Sequence, residues 1–268
     1  MVALFIAGKV IHEREPMLKH YFGLFAFLLS VPVLAQNPSE EKVIKQIKEL
    51  GGKVLKNEEG KVYGAFLVGK RLDFADPGRD ISDQHIEKLD MSMLSSITIL
   101  SISITDRALA HLEKSPKLER LCLIHGKITD KGLTKFLKKR KSLESLTLSC
   151  ATITDKSLPA IGALLDLEVL SLCGTKITDK GIKDLRGLAK LDLLDLSWTK
   201  VTDVGLADLK MLKNLSSLSL DGADVTDVGI LQLKTLTKLT RLSLPNTKVT
   251  KKGVEALQRE LPRLEIRK

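Results

Sequence analysis

The sequence predicts an α/β solenoid, and three observations carry that prediction. The acidic residue of an ITD or VTD triplet falls at Asp106, Asp130, Asp155, Asp179, Asp203 and Asp227, at intervals of 24, 25, 24, 24 and 24 residues. A fixed period in this range is the signature of stacked repeats. LxxLxL precedes each triplet, as at Leu143, Leu146 and Leu148 or at Leu215, Leu218 and Leu220, and GLxxLxxL follows, as at Gly205, Leu206, Leu209 and Leu212. Composition agrees: 43% of the 268 residues are hydrophobic but only 4% aromatic, which suits one repeated layer of Leu, Ile and Val.

Taken in chain order, the first element is a leader. Lys19 and His20 form a short basic start, Tyr21 to Leu34 is an uncharged apolar run, and Val33-Leu34-Ala35 offers small residues at a signal-peptidase site. The run is shorter than the ~20 apolar residues that span a bilayer. Glu13, Arg14, Glu15 and Pro16 make a poor lead-in, so translation is expected to start at Met17 and cleavage to follow Ala35. An uncleaved membrane anchor or a buried N-terminal helix is the alternative. The leader reading places the mature chain in the periplasm, at the cell surface or in the medium.

A cap comes next, over residues 36–61. Asn37-Pro38-Ser39-Glu40 reads as a helix start in which Glu40 reaches back to the cap. Val43, Ile47 and Leu50 share one helical face, and Gly51-Gly52 ends the helix. KVLKNEEGKVYGAFLV reads as a β-hairpin around Asn57 to Gly60. Such a cap covers the apolar edge that a first repeat leaves open. The repeats then run over 62–268. Each unit is a strand whose alternate Leu point inward, a turn, and a helix capped by the Thr of the triplet, with Asp at the positive end of its dipole. The Gly that follows is read as allowing a close backbone turn.

LxxLxLxx(T)x(I/V)TDxGLxxLxxL resembles the leucine-rich repeat family over residues 62–268. More narrowly it is similar to the cysteine-containing subclass of F-box adaptor proteins and to 24-residue repeats of exported bacterial proteins. The resemblance implies a right-handed solenoid with a parallel concave sheet and convex helices. It also implies a non-catalytic protein that binds through the concave face. The chain departs from the subclass at the ladder position, which holds Ile102, Gly126, Ala151, Thr175, Thr199, Ala223 and Thr247 in place of Cys or Asn. No F-box-like helical segment precedes the repeats, which counts against the alternative of a substrate-recognition subunit of a ubiquitin ligase.

Function is expected at the variable concave positions, because the TD and GL residues hold the repeat together. Two patches stand out. One is Trp198, the single Trp of the chain, with Ser171, Asp195, Ser197, Ser219 and Asp221 around it. Trp is enriched in binding hot spots, and here it is read as exposed. The competing reading is that Trp198 folds over the gap at Gly174 or Gly222 and seals the surface. The other patch is Cys122 and His125 with Cys150 and Cys173, all read as concave. Zinc accepts such ligands, yet the spacing fits no compact site, and no metal or cofactor is expected. A Cys150–Cys173 disulfide is compatible with export and leaves one thiol over.

The net charge of +10 suits acidic partners without marking a nucleic-acid binder. TKFLKKRK, residues 134–141, lacks interleaved aromatics and is read as a solvated helix end. No HExxH, GxSxG or phosphate-binding Gly-rich loop is present, so a non-enzyme is expected. The ligand is expected to be a protein. A glycan is the second ligand class, for which Trp198 is a lone aromatic.

Overall fold

The computed structural model describes residues 5–6, 9–10, 38–69, 80–150 and 152–268. The leader segment 17–35 and Asn37 lie outside the described residues. Phe5–Ile6 and Lys9–Val10 pair as a short antiparallel ribbon.

The cap helix spans Pro38–Glu49 and buries Val43, Ile44 and Ile47. It stops in a Schellman turn. Gly51 has φ +72°, its N–H bonds Lys48 O at 2.9 Å, and the Gly52 N–H bonds Ile47 O at 2.9 Å. The expected bond from Glu40 to the cap at Asn37 lies outside the described residues. Glu40 Oε1 accepts the Val62 N–H at 2.7 Å, and the residue is buried. The carboxylate therefore ties the helix to the hairpin.

The hairpin pairs Lys53–Lys56 with Val62–Val68 in antiparallel register. Asn57 Oδ1 stabilises its turn by accepting the Glu59 and Lys61 N–H groups. Val62–Val68 then pairs in parallel with Ser96–Leu100, so cap and repeats share one ten-stranded sheet. The following strands, from Arg120–Ile124 to Glu265–Arg267, add one by one in sequence order. Their register is strict: Leu121, Leu146, Leu170, Leu194, Leu218 and Leu242 form one row, each paired with the next. That row and the Leu two residues on are sealed in the core.

The convex side changes along the array. Asp106–Leu112 and Asp130–Leu137 are α-helices of 7 and 8 residues. From Asp179 to Thr235 each unit has only a short α-helix followed by a 3₁₀ segment, as in Asp203–Leu206 and Ala207–Met211. The tighter 3₁₀ winding covers more distance per residue. A 24-residue unit thus returns to the sheet with few residues, where a full helix per unit was expected.

The triplet Thr caps its helix as expected; Thr202 Oγ1, for example, accepts the Val204 N–H. The Asp does more than face a dipole. In seven successive pairs, from Asp83–Thr105 to Asp227–Thr250, it bonds the Thr of the next unit. One oxygen accepts the Thr backbone N–H at 2.6–2.9 Å and the other its hydroxyl at 2.5–2.7 Å. Each Asp thus serves the N-terminus of the neighbouring helix, and the bonds are charge-assisted.

This clip also corrects the reading of the Gly. Gly132, Gly181, Gly205, Gly229 and Gly253 have ordinary φ, so backbone freedom does not select them. A Cβ there would collide with the clip Asp of the preceding unit: at Gly205 it would lie 2.6 Å from Asp179 Oδ1, and at Gly132 it would fall inside the Asp106 carboxylate. Where the position holds Ser157, its hydroxyl donates to Asp130 Oδ1 at 2.6 Å.

Candidate functional site

The concave face carries side chains from alternate strand positions. Along its centre the sequence suggested accessible polar groups, and the structure corrects this. Ser171, Asp195, Ser197 and Asp221 are 0%, 1%, 0% and 4% exposed. They bond one another across the strands. Ser171 Oγ donates to Asp195 Oδ2 at 3.0 Å, the Ser197 N–H donates to Asp195 Oδ1 at 2.9 Å, and the Asp221 N–H donates to Ser197 Oγ at 3.2 Å. Arg267 closes the chain, donating from Nη2 to Asp221 Oδ2 at 2.7 Å and from Nε to Ser243 Oγ at 3.1 Å. Strands ~4.8 Å apart leave short Ser and Asp side chains at the floor, overtopped by longer neighbours. Ser219 is half-buried between Asp195 and Ser243 in the same register.

Trp198 stands above this floor, half-buried. Its φ is +57°, a left-handed conformation that redirects the chain at the strand end. His125, Gly174, Gly222 and Asn246 share that conformation at the equivalent position, a column the Leu pattern does not announce. One side of the indole lies against Gly222: a Cβ there would meet Cδ2 and Cζ3 at 2.6 Å. The ring also packs on a small apolar cluster with Ile124 and Cys173 buried and Leu100 and Cys122 partly covered. Trp198 is thus held from below and open above.

The cysteine patch divides. Cys122 and Cys173 belong to this concave cluster, but Cys150 is corrected to the main core, its Sγ 3.6 Å from Leu123 O. Cys150 lacks the left-handed φ of its column, so its side chain turns inward. None of the three is in a disulfide. Burial pushes the Cys122 and Cys150 thiols up to about 12, which removes thiolate character at neutral pH. His125 is half-buried and donates its backbone N–H to Ser149 O at 2.9 Å. No cluster of three or more His, Cys, Asp or Glu suited to a metal occurs among the described residues.

Two further columns were missed because only the second half of LxxLxL was read. The position before the strand start holds Glu119, Glu144, Glu168 and Asp192 in four successive units. Their backbones form consecutive rungs: the N–H of Glu144, Glu168 and Asp192 each bonds the preceding carbonyl at 2.8 Å. Beside them Val169 and Leu193 are half-buried and pair in register. The opposite, strand-end edge carries exposed Lys127, Lys176 and Lys200. The basic run 134–141 is not wholly solvated. Arg140 is 8% exposed, donates from Nη2 to Leu112 O at 3.0 Å and to Glu113 O, and so caps the preceding helix.

A family model described as Leucine Rich repeat matches residues 188–210. None of the curated proteins matches the chain. Among solved structures, internalin C2 from Listeria monocytogenes is 22% identical with a TM-score of 0.54, over 88% of this chain and 88% of that one. An internalin (InlF) from the same organism is 24% identical with a TM-score of 0.51, over 68% of this chain and 49% of that one, so this chain spans about half of its length. The repeat and the sheet it builds define an α/β solenoid with the leucine-rich repeat fold. That fold suggests a protein-interaction module. No helix among the described residues is long and apolar enough to cross a membrane.

Proposed function

We propose that this chain is an exported, non-catalytic module that captures a protein partner on its concave face, centred on Trp198. One observation carries the reading: the only indole of the protein is presented on the sheet face, backed by Gly222 and the Ile124–Cys173 cluster, with its outer side free. A rigidly supported aromatic loses little entropy on binding, which is the usual character of an interface anchor. The buried Ser and Asp chain supplies a stiff floor, so the contact residues are Trp198, Leu193, Val169 and Cys122 instead of the polar set. A glycan site needs several aromatic platforms close together, and on the described concave face Trp198 and the half-buried Phe66, in register with Thr98, stand five strands apart. The leader at 17–35 supports export.

The test is site-specific photocrosslinking in the native cell, with the photoreactive residue at Leu193 on the sheet or at exposed Val228 in the convex helix Asp227–Leu231. Discrete protein adducts from the Leu193 position alone are the expected result. Adducts from Val228 alone would move the site to the convex side. N-terminal sequencing of the recovered protein tests export, with Gln36 expected as the first residue.

A further inference from the structure

The concave face is electrically lopsided, and that asymmetry specifies what it binds. Glu144, Glu168 and Asp192 line the strand-start edge of the face as consecutive rungs. Parallel strands hold such residues ~4.8 Å apart, and like charges side by side in a sheet are destabilising. The Leu and Asp–Thr patterns that build the fold require nothing acidic there, since the same column holds Ser216 and Thr240 in later units. The intramolecular cations neutralise the row only partly: Arg120 meets Glu144 at 3.5 Å, and Lys190, paired with Asp166 at 2.7 Å, lies close enough to attract Glu168 and Glu144 as well. The acidic row coincides with the apolar part of the face. Val169 follows Glu168 and Leu193 follows Asp192, each on the next outward position, and Trp198 lies on the far side of the buried floor.

We infer that the face binds a protein segment that is apolar and basic: aliphatic or aromatic side chains on Val169, Leu193 and Trp198, and Lys or Arg on the Glu144, Glu168 and Asp192 row. This rests on the concave-face reading above and adds the chemistry of the ligand. It runs against the net charge of the protein, which at +10 disfavours cationic ligands everywhere else. A basic ligand is therefore selected by this edge or not at all.

The probe is a random dodecapeptide display library, panned against the full chain and counter-panned against two variants. Enrichment of peptides with net positive charge and two or more apolar residues is expected. Their binding should weaken about tenfold in Glu168→Gln/Asp192→Asn, as close charge pairs across interfaces do, and should fall further at 0.5 M salt. Both residues are exposed, so this variant keeps its fold. Leu193→Ser should abolish the apolar preference, with circular dichroism confirming its structure. Neutral or acidic peptides that lose binding in Leu193→Ser would overturn the basic-segment inference and leave the concave-face reading standing. Peptides indifferent to both variants would overturn the two together.

Discussion

Gly132 and Asp106 offer the sharpest test of how the repeats hold one another. Asp106 accepts the Thr129 N–H at 2.8 Å and the Thr129 hydroxyl at 2.6 Å. The three atoms nearest a Cβ on Gly132 are all carboxylate atoms of Asp106. In Gly132→Ala the carboxylate must shift; at the equivalent Ala108 and Ser157 the Asp83–Thr105 and Asp130–Thr154 bonds persist beside a Cβ, so the clip is strained and not lost. Charge-assisted bonds are worth ~1.5–3 kcal/mol each, and this pair is partly exposed, so the clip should contribute about 2 kcal/mol. Ala is favoured over Gly inside a helix by ~1 kcal/mol. Straining the clip by about 1 kcal/mol offsets the helix gain, so Gly132→Ala should be nearly neutral, while Asp106→Ala should cost about 2 kcal/mol. In the Asp106→Ala background the same Gly132→Ala change should stabilise by ~1 kcal/mol, because only the helix preference remains. The cycle predicts a coupling of about 1 kcal/mol. Urea unfolding followed by far-ultraviolet circular dichroism measures it, provided the m values agree. Costs that add to within ~0.5 kcal/mol would show that the Gly does not make room for the Asp.

Other expectations follow from the same geometry. The hydroxyl of Thr250, and then its backbone N–H, hold the Asp227 carboxyl below its ordinary value, and the Ser92 N–H does the same for Asp90. A depressed folded pKa gives stability that is present above the unfolded value of 3.8 and lost as pH falls through the folded one. The melting temperature should therefore drop between roughly pH 5 and pH 2, less steeply in Asp227→Asn. At pH 8 the thiols of Cys150 and Cys173 should react with a disulfide reagent only at the rate of unfolding; rapid labelling of both in the folded chain would contradict their burial. Gly222→Ala should displace the indole and red-shift the single-tryptophan fluorescence, whereas an unchanged spectrum would place Trp198 elsewhere. Arg140→Ala should cost about 2 kcal/mol through uncapped carbonyls at Leu112 and Glu113, read by urea titration.

The repeat was legible because the chain spells it in residues with one physical use each. Leu at alternate strand positions can only face the core, and Thr before Asp at a helix start can only cap. The clip between units was not legible, since a sequence shows that Asp106 and Thr129 lie 23 residues apart but not that they touch. The Gly of TDxG was misread for the same reason: its constraint is a side chain from another unit. On the concave face, Trp198 was found because it is the only Trp, yet the burial of Asp195 and Ser197 depends on the heights of their neighbours. Cys150 went inward where Cys122 and Cys173 did not, which a column of equivalent positions cannot reveal. The acidic row at Glu144, Glu168 and Asp192 was readable in principle, as the first variable position after each leading Leu.

The Asp–Thr clip has a genetic consequence. Each unit from Asp106 to Asp227 offers the same acceptor to its successor and the same donors to its predecessor, and only the last helix, with Lys251 at that position, lacks the acceptor. Removing or duplicating one unit by unequal recombination therefore brings an Asp against a Thr again at the new junction. An array of this kind passes through length changes without an intermediate that fails to fold. Its sheet face is thereby widened or narrowed one strand at a time, and new contact surface arises by copying before it is refined by substitution.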